Sequence, residues 1–290
     1  NWFVNCFFGT VSAKQRIYTA ENCPANCIQA VFLNHGKSKH HQKSGAKRKI
    51  ILMSEKIYTI PVNEAFEACA EDKSRGCPFC RLYNKLEADE TDLILGASMM
   101  EPDVRIKTNE KGFCATHFQM LLSGKNRLGL GLMLESHTEQ LKRELADKGL
   151  AALVGRVGIA APRRVARLET SCYICDRIEY SFSRMLSNAV LLWSEDKAFR
   201  EKVKAQPYIC LPHFGMWLAA AGKELKRGYP DFYREVSEPV YACFDSLRED
   251  ISWFCKKFDY RYDAEPWGNA KDAPDRAGKF LCGDLHKPIK

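Results

Sequence analysis

A pair of cysteine motifs that occurs twice constrains this 290-residue chain more than any other feature of its sequence. In each copy, a C-x-x-C motif is followed by a C-x-x-H motif, with 33 or 34 residues between the two. Apolar residues match at similar offsets, since Val104 corresponds to Phe199 and Met120 to Met216. Because the likeness extends beyond the cysteines, the sequence predicts two tandem copies of one structural unit. The eight motif residues are Cys77, Cys80, Cys114, His117, Cys172, Cys175, Cys210 and His213.

The residue types in these motifs indicate metal binding. A C-x-x-C motif puts two thiolates within reach of one ion, and a second short pair completes a tetrahedron. Three thiolates and one neutral imidazole suit zinc, and a site closed by four protein ligands is normally structural. We therefore predict two zinc ions, one bound within each copy of the unit. The expected sets are Cys77, Cys80, Cys114 and His117, and Cys172, Cys175, Cys210 and His213.

The same residues are compatible with other chemistry. Three cysteines and one histidine can hold an iron–sulfur cluster. A C-x-x-C motif that contains proline, as between Cys77 and Cys80, also occurs in thiol-redox sites, although it normally follows a strand there. Ordinary buried cysteines are a third interpretation, which two matched sets of four make less attractive. The other cysteines beyond residue 53 have no pattern and are expected to be core or surface thiols: Cys69, Cys243, Cys255 and Cys282.

Apolar spacing predicts an all-α fold. After the second C-x-x-C motif, apolar residues from Ile178 to Trp193 recur on one helix face. Long helices are expected at about 129–147 and 229–257, and strand-like alternation occurs only near 56–62. The predicted organisation is an extension, a first and a second helical metal-binding unit, and a tail, with a connection at 149–162. The four parts span residues 1–52, 53–150, 151–276 and 277–290.

The first 52 residues differ from the rest in charge. They hold eight basic residues and one acidic residue, so they carry most of the net charge of +8, and the remaining chain is nearly neutral. Their polar, basic composition is typical of disorder, and the sequence that begins at Met53 looks like an ordinary N-terminus of a protein. We therefore predict that residues 1–52 are a disordered or non-native extension. The alternatives are a nucleic-acid-binding arm and a metal-binding tail. Nucleic acid is not an expected partner of residues 53–290. The tail alternative would use His35, His40 and His41.

No stretch of the sequence is long and apolar enough to predict a membrane span, and no export signal is recognisable at its start. A cytoplasmic location without a membrane partner is therefore expected. In that compartment the thirteen cysteines are expected to be thiols or metal ligands, not disulfides.

The segment near the C-terminus combines aromatic and basic side chains. Such a composition can bind a protein partner by stacking and cation–π contacts, or it can pack back over the core. Elsewhere, no phosphate-binding loop, paired acid/base motif or serine nucleophile motif is found, so we predict no catalytic residue. The segment contains Trp253, Phe254, Lys256, Lys257, Phe258, Tyr260, Arg261, Tyr262 and Trp267.

From Met53 onward the chain resembles an uncharacterised bacterial family that is known as a domain of unknown function. The resemblance covers nearly all of residues 53–276 and is carried by EKIYTIPVNEAFE, GCPFCRLYNKLE, MMEPDVRI, KGFCATHF, NRLGLGLMLESH and WFCKKFDYRYDAEPWGNAKDAP. Similar proteins sometimes carry the label of ABC-transporter substrate-binding protein, which the lack of an export signal does not favour here. The family implies no activity. The predicted function is a non-enzymatic binding or adaptor protein with structural metal, and the alternative is a thiol-redox or iron–sulfur enzyme or sensor that uses the same cysteines.

Overall fold

Eleven α-helices and no strands make up the part of the chain that the structure describes, which is residues 58–146 and 161–287 of a computed structural model. This confirms the all-α prediction. The helices are α1 Thr59–Glu71, α2 Pro78–Leu95, α3 Pro102–Lys111, α4 Ala115–Ser123, α5 Arg127–Leu145, α6 Ala161–Thr170, α7 Tyr173–Glu195, α8 Lys197–Lys204, α9 Leu211–Glu224, α10 Tyr229–Lys256 and α11 Ala273–Cys282.

The helix boundaries agree with the sequence signals, with one exception. The two long predicted helices correspond to α5 and α10, and Pro230 lies in the first turn of α10, where proline costs no hydrogen bond. The strand-like expectation for 56–62 is wrong from Thr59 onward, because α1 begins there. Val62, Phe66 and Cys69 are all buried in α1, and this helical spacing outweighs the short alternation.

Helices from both halves of the sequence share one hydrophobic core. Helix α7 packs against α1, α2 and α9. Five fully buried aromatic side chains from five helices meet beside it, and neighbouring ring centroids among them lie 4.8–5.8 Å apart. The N-termini of α2 and α9 therefore meet over a common core. The rings belong to Phe66, Phe79, Phe199, Trp217 and Phe232.

The helices that follow the two motif copies occur in the same order. Each C-x-x-C motif begins a long helix, α2 or α7, and each C-x-x-H motif begins a shorter one, α4 or α9. The predicted extension 1–52 and the connection as far as residue 160 lie outside the described residues, and residue 277 lies inside α11. Within the described ranges, no helix combines the length and apolar character that crossing a bilayer requires.

Candidate metal centres

The first cysteine of each motif caps the N-terminus of a helix. Cys77 precedes α2, Cys114 precedes α4, Cys172 precedes α7 and Cys210 precedes α9. The second residue of each motif follows three positions later, so helical geometry places both side chains at the same end and face of the helix. A helix N-terminus carries a partial positive charge, which stabilises thiolate anions. The six cysteines of the motifs thus lie where the backbone favours negative sulfur.

These eight residues form two groups of four. Within each group, one donor atom from every residue lies within 4.8 Å of the other three. We call the first group centre I and the second centre II. Centre I contains Cys77, Cys80, Cys210 and His213, and centre II contains Cys114, His117, Cys172 and Cys175.

The predicted assignment of the motifs to two separate halves is wrong. Each centre combines the C-x-x-C motif of one half with the C-x-x-H motif of the other. Backbone contacts fix this exchange at centre II, where Tyr173 donates its amide hydrogen to the carbonyl of Gly112 at 3.0 Å. At centre I, the Tyr208 side chain covers Gly76, where an added Cβ would lie 2.9 Å from the tyrosine oxygen. Motif spacing alone cannot reveal which copies meet.

The distances in centre I match the edges of a small tetrahedron. Around one zinc ion, bonds of about 2.3 Å to sulfur and about 2.0–2.1 Å to nitrogen place sulfurs about 3.8 Å apart and sulfur about 3.6 Å from nitrogen. The Sγ atoms of Cys80 and Cys210 lie 3.5 Å apart. The Nδ1 atom of His213 lies 3.9, 3.4 and 3.2 Å from the Sγ atoms of Cys77, Cys80 and Cys210. The donors therefore fit a single tetrahedral ion.

Centre II has the same geometry. The Nδ1 atom of His117 lies 3.2 Å from the Sγ of Cys114 and 3.3 Å from those of Cys172 and Cys175. The Sγ atoms of Cys114 and Cys175 are 3.8 Å apart, well beyond the roughly 2.0 Å of a disulfide bond. The sulfurs thus converge on a shared point without bonding to one another.

A buried carboxylate orients the histidine of centre II. The Nε2 atom of His117 lies 3.0 Å from Oε1 of Glu87, a residue that is only 2% exposed. Burial opposes ionisation of Glu87, but hydrogen bonds from His117 and His286 lower its pKa below the usual value. Because the carboxylate accepts a hydrogen bond from Nε2, that nitrogen carries the proton and Nδ1 faces the sulfurs. Carboxylates behind metal-binding histidines commonly set this tautomer.

Centre I lies in an apolar environment. Its four residues are each at most 4% exposed. The ring of His213 is 5.1 Å from that of Phe182 and 6.1 Å from that of Phe79, measured between centroids. Burial and these rings shield centre I from water.

Residues 283–287 contact centre I directly and centre II through Glu87. We call residues 283–287 the C-terminal strap. The amide of Asp284 donates a hydrogen bond to Sγ of Cys80 at 3.3 Å, and Asn84 donates to the carbonyl of Asp284 at 2.9 Å. Two residues further on, Nδ1 of His286 lies 2.6 Å from the Glu87 oxygen that contacts His117. The strap thereby connects the two centres.

In the metal-free protein, contacts within centre II shift the pKa values of its thiols in opposite directions. Hydrogen bonds from Cys172, Cys175 and His117 hold the pKa of Cys114 far below its usual value, although burial opposes this. Conversely, contact with Cys114 raises the pKa of the Cys175 thiol. Burial works against charging His117, but its contacts with Cys114 and Cys172 raise its pKa to about 11. A metal ion would replace these protons.

The remaining cysteines of the described chain behave as the sequence suggests. Burial raises the pKa of both Cys69 and Cys243 to about 11, which makes them unreactive at neutral pH. Cys255 and Cys282 are exposed thiols. None of the four belongs to either centre.

The aromatic and basic segment folds onto the end of α10. The ammonium group of Lys257 donates to the carbonyls of Tyr262, Asp263 and Glu265, so it stabilises the turn. Trp267 packs against the rings of Phe254 and Phe258. Phe258 and Tyr260 are nevertheless 74% and 87% exposed, so part of the segment stays open to solvent.

Sequence reasoning missed Glu87 and His286. Glu87 follows Cys80 by two helical turns on α2 and therefore points towards the same side of the helix, which is a usable signal. His286 lies outside any repeat, and no sequence pattern links it to the centres.

The helices and the two Cys3His groups define an all-helical protein with paired sites that could hold metal ions. Residues 53–288 match the model of a family of unknown function, DUF6062, and the chain belongs to this family. The family resemblance inferred from the sequence is thus confirmed. No curated protein and no solved structure matches the chain.

Proposed function

We propose that the protein binds two zinc ions, one in each centre, and that both ions are structural. The observation that supports this most directly is the crossed assembly of the motifs, with donor distances of 3.2–3.9 Å. Each ion would join the helix that follows a C-x-x-C motif in one half to the helix that follows a C-x-x-H motif in the other. Four protein donors leave no position for substrate, which favours a structural over a catalytic role.

The geometry favours one ion per centre over an iron–sulfur cluster. A cluster places several iron and sulfide atoms between its protein ligands, so those ligands stand further apart than the edges of a one-ion tetrahedron. The sulfur pair Cys80 and Cys210, at 3.5 Å, leaves room for one ion only. The thiol-redox alternative is also less favoured. The Cys77–Cys80 motif follows α1 and the short 3-10 helix Lys73–Arg75, whereas a thiol-redox motif normally follows a strand.

The reciprocal exchange also supports a tandem duplication. Suppose that two copies of one unit are related by an approximate two-fold axis. If the C-x-x-C motif of the first copy then meets the C-x-x-H motif of the second, the C-x-x-C motif of the second must meet the C-x-x-H motif of the first. The centres obey this relation, since each takes one motif from each half. We propose that the two halves are copies of one unit that exchanged motifs.

A rigid, metal-stabilised scaffold without a substrate position suits a binding or adaptor role. The exposed rings of Phe258 and Tyr260 are the surface that we assign to a protein partner. If this is right, Phe258→Ser/Tyr260→Ser protein loses a co-purifying partner and keeps its melting temperature. Tyr180→Ser, which changes another exposed ring, is the control and should keep the partner.

Metal analysis tests the proposed ions. Full-length protein purified without added metal should contain two zinc ions per chain by elemental analysis and native mass spectrometry. X-ray absorption at the zinc edge should give, on average, three sulfur ligands and one nitrogen ligand per ion. Iron in stoichiometric amounts, visible absorption near 400 nm, or one zinc or none would contradict the proposal.

A further inference from the structure

The two centres differ in their access to solvent. All four residues of centre I are buried, as are His117 and Cys172 of centre II. Only Cys114 and Cys175, among the eight, are partly exposed. These two belong to opposite halves of the chain, and their sulfurs are 3.8 Å apart.

We propose that Cys114 and Cys175 form an oxidation site at which a hydroperoxide produces a disulfide and releases the zinc of centre II. The inference rests on the proposed function, because it requires zinc in both centres. Centre I keeps its ion under the same conditions.

The reaction balances in two steps. The thiolate of one cysteine attacks a peroxide oxygen, so an S–O bond forms, the O–O bond breaks and hydroxide leaves. The second thiolate then attacks the resulting sulfenic sulfur, so the S–S bond forms, the S–O bond breaks and a second hydroxide leaves. The sulfurs lose two electrons in total, the peroxide gains two, and two protons from the buffer convert the hydroxides to water. Zinc is not reduced or oxidised; it loses two of its four ligands and dissociates as a hydrated ion.

The geometry around the two sulfurs permits this chemistry. A disulfide requires sulfurs about 2.0 Å apart, so the pair must approach by about 1.8 Å. Cys114 precedes its helix and has an extended backbone conformation, so a change in its side-chain position breaks no helical hydrogen bond. The rim beside the pair is polar, since Lys111 and Asp176 form an ion pair there. Because both cysteines are partly exposed, we expect water and small peroxides to reach this pair.

Centre I shares some of these features but not the access to solvent. Its sulfur pair Cys80 and Cys210, at 3.5 Å, is slightly closer than the pair in centre II, and Cys210 also precedes its helix, so neither distance nor helix position distinguishes the two centres. Access to solvent does distinguish them. The C-terminal strap lies over Cys80 and Cys210, since an added Cβ on Gly283 would be 3.7 Å from both sulfurs. The rings of Phe79 and Phe182 pack near the ring of His213 in the same centre. The difference in reactivity is thus a matter of exposure.

The experiment uses full-length protein with Cys255→Ser and Cys282→Ser, which removes the exposed thiols of the described residues, and with serine also at Cys6, Cys23 and Cys27, which lie outside them. Zinc content is measured first, and one equivalent of hydrogen peroxide is then added. Zinc release is followed with a chromophoric chelator, and disulfides are mapped in tryptic peptides. We expect one zinc ion to be released per chain, at least about tenfold faster than the second. We also expect residues 112–125 linked to residues 168–177 through Cys114 and Cys175, and rebinding of zinc after reduction with dithiothreitol.

Other outcomes separate the two hypotheses. Two zinc ions that leave at equal rates, or a bond between Cys172 and Cys175 in place of the expected one, would overturn this inference and leave the proposed function intact. Oxidation of the centre I cysteines before those of centre II would also overturn this inference and leave the proposed function intact. Protein without zinc before oxidation would overturn both. Because the measurements are made on protein with all eight ligands, loss of folding in a ligand variant cannot confuse them.

Discussion

The sulfur atoms of Cys80 and Cys210 lie 3.5 Å apart although 130 positions separate them in the chain. The corresponding pair in centre II, Cys114 and Cys175, is separated by 61 positions. Each proposed ion therefore acts as a link between distant segments, and both links cross from one half of the sequence to the other. The stability of the two halves is consequently expected to be shared.

Paired serine substitutions test the crossed arrangement. In the Cys77→Ser/Cys210→Ser protein, both changes affect centre I, so one zinc ion should remain per chain. In the Cys77→Ser/Cys114→Ser protein, each centre loses a ligand, so both ions should be lost or weakly bound. Native mass spectrometry gives the counts. Since both variants carry two Cys→Ser changes, they control for one another, and the reverse pattern would support sites confined to single halves.

Removal of metal should unfold the whole described domain in one transition. Structural zinc contributes on the order of 10–16 kcal/mol in small peptides, comparable with the roughly 5–15 kcal/mol stability of a domain. A strong chelator should therefore lower the melting temperature by more than about 10 °C and reduce the helical circular dichroism signal. Unchanged signal and melting temperature after verified zinc loss would show that the ions do not stabilise the fold.

The substitution Glu87→Gln should weaken centre II selectively. It removes the charge that faces His117 while it nearly preserves the buried volume. Loss of such an outer carboxylate typically lowers metal affinity by about 10–100-fold. Competition with a chromophoric chelator measures this for each ion. Glu90→Gln, on the same helix and paired with Arg177, is the control and should leave both affinities unchanged. An equal effect on both centres would argue against the role of Glu87.

Zinc affinity of centre II should rise with pH through the neutral range. Burial opposes the charged form of His117, but its contacts with Cys114 and Cys172 favour that form. Together they raise the pKa of His117 to about 11 in the metal-free protein. The charged imidazole therefore stabilises the metal-free fold fully below the unfolded pKa of about 6.5, and this contribution disappears only as pH rises through about 11. Zinc must displace that proton at pH 7.

One displaced proton changes the apparent affinity about tenfold per pH unit, and the Cys175 thiol, whose pKa is also raised, adds to this. Calorimetry in buffers of different ionisation enthalpy counts the released protons. Equal affinity at pH 6.5 and pH 7.5 would contradict the protonated form of the metal-free centre.

Removal of the C-terminal strap should destabilise both centres. A chain that ends at Cys282 loses the amide of Asp284 on Cys80 and the contact of His286 with Glu87. Zinc transfer to a chelator should become about tenfold faster or more from both centres. A chain that ends at Lys287 keeps both contacts and serves as the control. His286→Ala alone should affect only centre II, and a uniform effect would indicate a general loss of stability.

The sequence was sufficient to predict the class of the fold and the residues of the centres. Helical spacing after Cys172 predicted α7, and the repeated motifs identified all eight residues that converge. These features are local, because the apolar face of a helix and a four-residue motif are each defined by residues close together in the sequence. The strand-like interpretation of residues 56–62 failed for the opposite reason, since a window so short cannot separate alternation from the start of α1.

The partition of the motifs could not be read from one sequence. Two identical motif types offer the same chemistry to either partner, and the choice depends on how α2 and α9 pack beside α7. The contact of Tyr173 with Gly112 and the cover of Tyr208 over Gly76 accompany the observed pairing, and neither involves one of the eight metal-ligand candidates. The role of His286 could not be predicted for the same reason, because only the tertiary fold brings this residue to Glu87.

The crossed motifs also have a consequence for synthesis of the chain. The wrong quartet, Cys77 to His117, is complete once residue 117 has been made, whereas centre II needs Cys175 and centre I needs His213. At about 5–20 residues per second, a ribosome takes about 3–12 seconds to proceed from residue 117 to residue 175. We expect an ion captured in that interval to be misplaced, so correct assembly requires zinc to arrive late or to exchange after the second half has emerged.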